Sequence, residues 1–127
     1  MNVWQFIAGK LEKEMAVQLL YVLQSEGSSP GRQGFKMAVA ADGTFYGTIG
    51  GGIMEHKLVE KAKARLQQNE KQVLLMRQHH DKEHATDQSG MICSGSQLNA
   101  FIPLLASDLG IIQQLVSAQQ KIIELSR

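Results

Sequence analysis

A chain of 127 residues, 43% hydrophobic and 20% charged, is long enough for one domain with a buried core. Its net charge of +1 implies no acidic partner and does not favour nucleic acid. A single cysteine, Cys93, excludes an internal disulfide framework and fits a reducing compartment.

In chain order, Trp4, Ile7, Ala8 and Leu11 recur at helical spacing, so residues 3–14 read as an amphipathic helix. Lys10, Glu12, Lys13 and Glu14 interrupt its apolar residues, which is unlike a signal peptide. Ala16 to Gly27 is a largely apolar run that reads as a central strand, with a buried helix as the alternative. Its longest clean apolar stretch, Leu19 to Leu23, falls far short of a membrane span, so a cytoplasmic protein is expected. "GSSPGRQG", Gly27 to Gly34, is loop chemistry with a Pro30-Gly31 turn. Phe35 to Ala40, an Asp42-Gly43 turn and Thr44 to Ile49 read as a hairpin.

Three glycines, Gly50 to Gly52, then precede a helix over residues 53–68, in which Met54, Leu58, Ala62 and Leu66 repeat every four. Glu55 falls in its first turn, where a carboxylate suits the positive end of the dipole. Lys71 to Gln78 reads as a strand, His79 to Gly90 as a polar loop, and Gln97 to Leu105 as a second strand. Ser107 is placed to cap a last helix reaching about Gln119, with Leu109, Ile112, Leu115 and Val116 on one side. "KIIEL" reads as the start of one more strand. The order argues for an α/β or α+β fold: a mixed sheet containing a hairpin, packed by about three helices.

A strand, a glycine turn and a helix N-terminus together make an anion site, because the first N–H groups of a helix lack partners. Gly50, Gly51 and Gly52 would let a phosphate reach the backbone; the alternative is a tight turn without a ligand. Gly50 and Gly52 also fit half of a dinucleotide fingerprint, with Asp81 near the ribose position, but Glu55 stands where the third glycine belongs. Ser28, Ser29, Arg32 and Lys36, on and beside the second glycine-bearing loop, suit a phosphate or another polar ligand. Cys93 lies between Gly90 and Gly95, where a thiol can be exposed; a buried thiol is the plainer alternative. His79, His80 and His84 stand among Asp81, Glu83 and Asp87, a pattern too common in polar segments to predict a metal site.

Three stretches in order, "GSSPGRQGFKMAV", "DGTFYGTIGGGIMEHKLVEKAKARL" and "GMICSGSQLNAFIPL", resemble the N-terminal domain of the XdhC/CoxI family. Gly27, Ser28, Ser29, Pro30, Gly34 and Met37 match the first family motif. Gly47, Gly51, Gly52 and Glu55 match the second, and Cys93, Gly95, Pro103 and Leu104 the third. Ile53 replaces a family cysteine, Ser94 a glycine and Ile102 a glutamate.

The resemblance implies an accessory factor rather than an enzyme, one that binds the molybdenum cofactor (molybdopterin) for sulfuration or insertion into a xanthine dehydrogenase-type hydroxylase. It implies cofactor contacts from Ser28, Ser29, Arg32, Lys36, Gly50, Gly51, Gly52, Glu55 and Cys93. The partners expected are an apo molybdenum hydroxylase, a cysteine desulfurase or a separate C-terminal-domain subunit, and a second copy in a homodimer. A single N-terminal-type domain over residues 1–127 is expected, without the Rossmann-like C-terminal domain of typical members. A small nucleotide-binding domain, or an interaction subunit without ligand, are the competing expectations.

Overall fold

The computed structural model describes the backbone of residues 1–86 and 92–127, and the side chains of residues 1–79 and 95–127. Helix α1 spans Val3–Glu12. It starts at a reciprocal cap: the Gln5 amide donates to Asn2 Oδ1 and the Asn2 amide to Gln5 Oε1, both at 2.9 Å. Two otherwise orphaned donors are satisfied in this way.

Strand β1, Val17–Gly27, pairs with β2, Lys36–Ala40, and β2 with the short β3, Phe45–Gly47. Helix α2 follows over Gly52–Gln67, then β4, Leu74–Thr86, and β5, Ile92–Leu104. A single 3-10 turn, Ala106–Asp108, leads into helix α3, Leu109–Leu125. The sheet order is β3-β2-β1-β5-β4.

Side chains alternate across this sheet and sort its two cores. Val17 and Leu19 of β1 pack with Ile7 and Leu11 of α1 and Ile112 of α3. Leu20 and Val22 pack with Leu58, Val59 and Ala62 of α2 and with Phe101 of β5. Arg65 is buried on the α2 side, where its Nε donates to Gln18 Oε1 at 3.0 Å and its guanidinium carbon lies 5.8 Å from the Phe101 ring centroid. A second guanidinium nitrogen donates to the Gln72 carbonyl, so this buried cation is partnered on both sides.

The α+β class, the hairpin and the three helices agree with expectation, but every ladder is antiparallel where a mixed sheet was expected. The reason is the last strand: β5 returns beside β1 antiparallel to it, pairing Val17 with Leu104 and Gly27 with Gly95. The segment read as a polar loop is strand as far as Thr86, paired with β5 up to Thr86 opposite Ile92. Ladder hydrogen bonds come from the backbone, so a strand needs no apolar alternation to form.

"KIIEL" is helix, not strand, because α3 continues to Leu125 with no glycine or proline to stop it. Ser107 is not its cap; Asp108 precedes the helix, and its carboxylate accepts the Leu105 amide at 2.9 Å. Among the described residues no helix is long and apolar enough to cross a membrane.

The Asp42-Gly43 turn ties this hairpin to α1. Asp42 Oδ1 accepts the Thr44 hydroxyl at 2.6 Å and the Thr44 amide at 3.0 Å, while Oδ2 meets Lys10 Nζ at 2.9 Å. The Thr44 hydroxyl first, and then the Lys10 ammonium, hold the Asp42 carboxyl well below the usual carboxylate range. A group depressed on folding adds stability above its unfolded value, about 3.9 for aspartate, and loses it as pH falls toward the folded value. Asp42→Asn should therefore melt below the wild type at neutral pH. The gap should narrow progressively below about pH 4, as read from melting curves across pH.

Candidate functional site

The glycine turn between β3 and α2 needs glycine for two different reasons. Gly50, Gly51 and Gly52 have φ of +130°, +79° and +72°, a region that side chains strongly disfavour. At Gly50 there is also no room: a Cβ would stand 2.7 Å from Gly31 N and 2.8 Å from the Pro30 carbonyl carbon. A Cβ on Gly31 would in turn overlap the Ile49 carbonyl oxygen. What approaches the backbone at Gly50 is thus the "GSSPGR" loop. At Gly51 and Gly52 a Cβ would meet nothing within 4 Å, so these two border open space.

Gln97 of β5 joins the two loops. It is fully buried. Its Oε1 accepts the Gly31 amide at 2.9 Å, and its Nε2 donates to the Ile49 carbonyl at 3.1 Å and to Asn99 Oδ1 at 3.0 Å. Asn99 is buried beside it, and its Nδ2 has no partner among the described residues. Gly95 brings in the third segment, since a Cβ there would stand 2.7 Å from Ser28 N.

Glu55 bends back over the turn. Its Oε1 accepts the Thr48 hydroxyl at 2.5 Å, the Ile49 amide at 3.0 Å and the Gly51 amide at 3.1 Å. The Gly50 amide donates to Thr48 Oγ1 at 3.1 Å.

Outside the turn lies a cleft of about 480 Å³. Pro30 and Gly50–Gly52 form one wall, Ile53, Met54 and Lys57 of α2 another, and Gln78 and His79 of β4 the third. The α2 N-terminus opens into it with no side-chain cap. A groove of similar size, about 460 Å³, lies between α1 and α3, but it carries no cation.

The residues singled out in the sequence part company here. Gly50, Gly51 and Gly52 line the cleft, and Glu55 braces it from within. Ser29 is buried in the loop, where its hydroxyl donates to the Gly31 carbonyl at 3.3 Å. Ser28 is exposed next to it. Arg32 folds back to donate to the Ser29 carbonyl at 2.5 Å. Lys36 points to the opposite, α1 side of the sheet, 5.9 Å from the Trp4 ring centroid and 5.6 Å from that of Tyr21. Cys93 lies on β5, and its side chain is outside the described residues, as are those of His80, Asp81 and His84.

Lys57 and Gln97 were not anticipated, and His79 was read only as one of the histidines of a polar loop. Lys57 follows Met54 by one helical turn on the face that opens to the cleft, and Gln97, Asn99 and Phe101 alternate in register; both signals are present in the sequence. Gln97→Leu would strand the Gly31 amide, the Ile49 carbonyl and Asn99 Oδ1 in the interior. A loss of about 3 kcal/mol or more is expected from three unsatisfied groups, a melting temperature lower by roughly 10 °C or more, measured by calorimetry.

The family model "XdhC and CoxI family" matches residues 11–77, from the end of α1 to the start of β4. "Uncharacterized protein YqeB" of Escherichia coli (strain K12) is 31% identical over 102 residues, which is 80% of this chain and 18% of that protein. A crystal structure described as a xanthine dehydrogenase from Bacillus halodurans superposes with a TM-score of 0.62 at 20% identity, over 90% of this chain and 34% of the other. This second likeness is one of fold. The chain thus spans about a fifth of the E. coli relative and a third of the B. halodurans chain. With the family pattern covering the "GSSPGR" loop, the glycine turn and α2 together, the chain belongs to the XdhC and CoxI family.

Proposed function

We propose that this chain is an accessory factor for a molybdenum hydroxylase of the xanthine dehydrogenase class, and that the cleft at the α2 mouth receives the anionic end of the molybdenum cofactor. The observation that carries the reading is the convergence of the family's glycine turn and its Ser-Ser-Pro loop on one cleft. The description of the B. halodurans structure as a xanthine dehydrogenase supports the class of client.

The residues present fit a phosphate-bearing ligand. The cleft falls in the size range of small-molecule sites, about 300–1,000 Å³. Gly51 and Gly52 keep their walls clear of side chains. The amides of Gly52, Ile53 and Met54 begin α2, where backbone donors lack helical partners and the dipole favours negative charge. Lys57 adds an ammonium, and His79 a ring that can donate to an oxyanion.

When bound, the cofactor supplies the metal centre for redox chemistry in the client enzyme. The chain's own part is to hold and orient the ligand through these groups. Apo-hydroxylase, cysteine desulfurase and a second copy of the chain belong to the same proposal as partners. The dinucleotide alternative loses its frame: that site sits in a parallel βαβ unit, and here an antiparallel hairpin feeds the turn.

The test is retention of cofactor by protein purified from cells that make it. Denaturation should release a fluorescent molybdopterin derivative, and Lys57→Glu should reduce that yield several-fold. Lys57 is exposed, so the variant should melt within about 2 °C of the wild type, as surface substitutions usually do. An empty wild-type protein, purified beside a relative that retains the cofactor, would refute the reading. Release of an adenine chromophore instead would favour the dinucleotide alternative.

A further inference from the structure

The inner surface of the glycine turn already holds an anion, and that anion belongs to the chain. Three donors converge on Glu55 Oε1: the Thr48 hydroxyl at 2.5 Å, the Ile49 amide at 3.0 Å and the Gly51 amide at 3.1 Å. The amide between them, that of Gly50, is taken by Thr48 Oγ1 at 3.1 Å. The N–H groups of three consecutive residues are therefore spent inside the turn. Such a run of inward-pointing amides is the kind of concavity that binds phosphates elsewhere. Here a carboxylate four residues on from Gly51 occupies it through hydrogen bonds of the charge-assisted kind.

We infer that Glu55 is a positioning and specificity-determining residue: it fixes the glycine turn and excludes external oxyanions from it. An anion entering the cleft binds one step further out, at the Gly52–Met54 amides and Lys57. The inference holds whatever ligand the cleft receives. Two features carry it beyond an ordinary cap. Glu55 accepts the N-cap amide of Gly51, as a capping carboxylate does, but it also reaches past the helix start to the Ile49 amide and the Thr48 hydroxyl. And an external oxyanion at those same donors would compete with the carboxylate for them and be repelled by its like charge.

The experiment follows backbone amides by NMR while wild-type protein is titrated with inorganic phosphate and, separately, with sodium formate. The Ile49 and Gly51 amides should stay unmoved in both titrations. In Glu55→Ala the same two amides should shift saturably with formate, which fits the vacated carboxylate position. That variant should melt roughly 5–10 °C lower, from the loss of bonds to a charged group. Formate should restore at least half of the loss, and sodium chloride at equal ionic strength should not. A lost packing contact would show no such selectivity. Saturable movement of Ile49 and Gly51 in wild-type protein with phosphate would overturn the inference, as would a Glu55→Ala protein that melts like the wild type. If that variant does not fold, the wild-type titration decides alone, because saturation of the inner amides there contradicts exclusion and their silence supports it.

Discussion

Everything at the glycine end of this domain depends on the side-chain amide of Gln97. An amide buried in a sheet is costly unless its donors and acceptor are used, and Gln97 uses both of its N–H donors and its carbonyl oxygen. Two of these bonds go to backbone groups in separate loops, Gly31 and Ile49. The loops are held together by a third strand rather than by each other. Burial makes this bracket strict, because every bond left unmade would cost the full desolvation of its partner. That strictness accounts for the glycines on either side. With Gly31 and Ile49 drawn to one amide, Gly50 and Pro30 come into contact, and neither Gly31 nor Gly50 has room for a Cβ.

Two carbonyl-derived groups divide the work of fixing the turn. Gln97 holds it to the sheet from below, through Ile49 O. Glu55 closes it from the helix side, through Ile49 N and Gly51 N. Ile49 is thus gripped by both its amide and its carbonyl, and its side chain is fully buried as well. The result is a rigid rim with an open outer side. A ligand site gains affinity from such rigidity, since little ordering remains to be done on binding.

The sequence was most readable where one pattern decides one element. The Trp4-Ile7-Ala8-Leu11 spacing set α1, the Asp42-Gly43 turn set the hairpin, and the four-residue repeat from Met54 set α2. The family motifs named the two loops that meet. It was less readable wherever position in space decides the role. Lys36 and Gly31 come from neighbouring stretches of chain, yet one stands beneath α1 and the other against the glycine turn. Strand alternation puts successive side chains on opposite faces, and a loop motif does not reveal where the alternation begins. Glu55 was read as a dipole partner and possible ligand contact, because hydrogen bonds that run backward past the helix start leave no periodic trace. The polar strand ending at Thr86 and the last turns of α3 were missed for a related reason: each is continued by backbone hydrogen bonds that composition does not report.

The β1–β5 ladder joins Val17 to Leu104, and the bracket on Gly31 and Ile49 spans 66 and 48 residues. Contacts this distant in the chain form only after a large loop has closed, and they slow folding accordingly. During synthesis the glycine turn, Glu55 and α2 all emerge before residue 97 does. The nascent chain therefore carries a complete glycine motif, braced locally by Glu55, with nothing yet to seat it on the sheet. Its order arrives from the other end of the sequence, so a chain that stops short of β5 keeps the motif's letters and loses its shape.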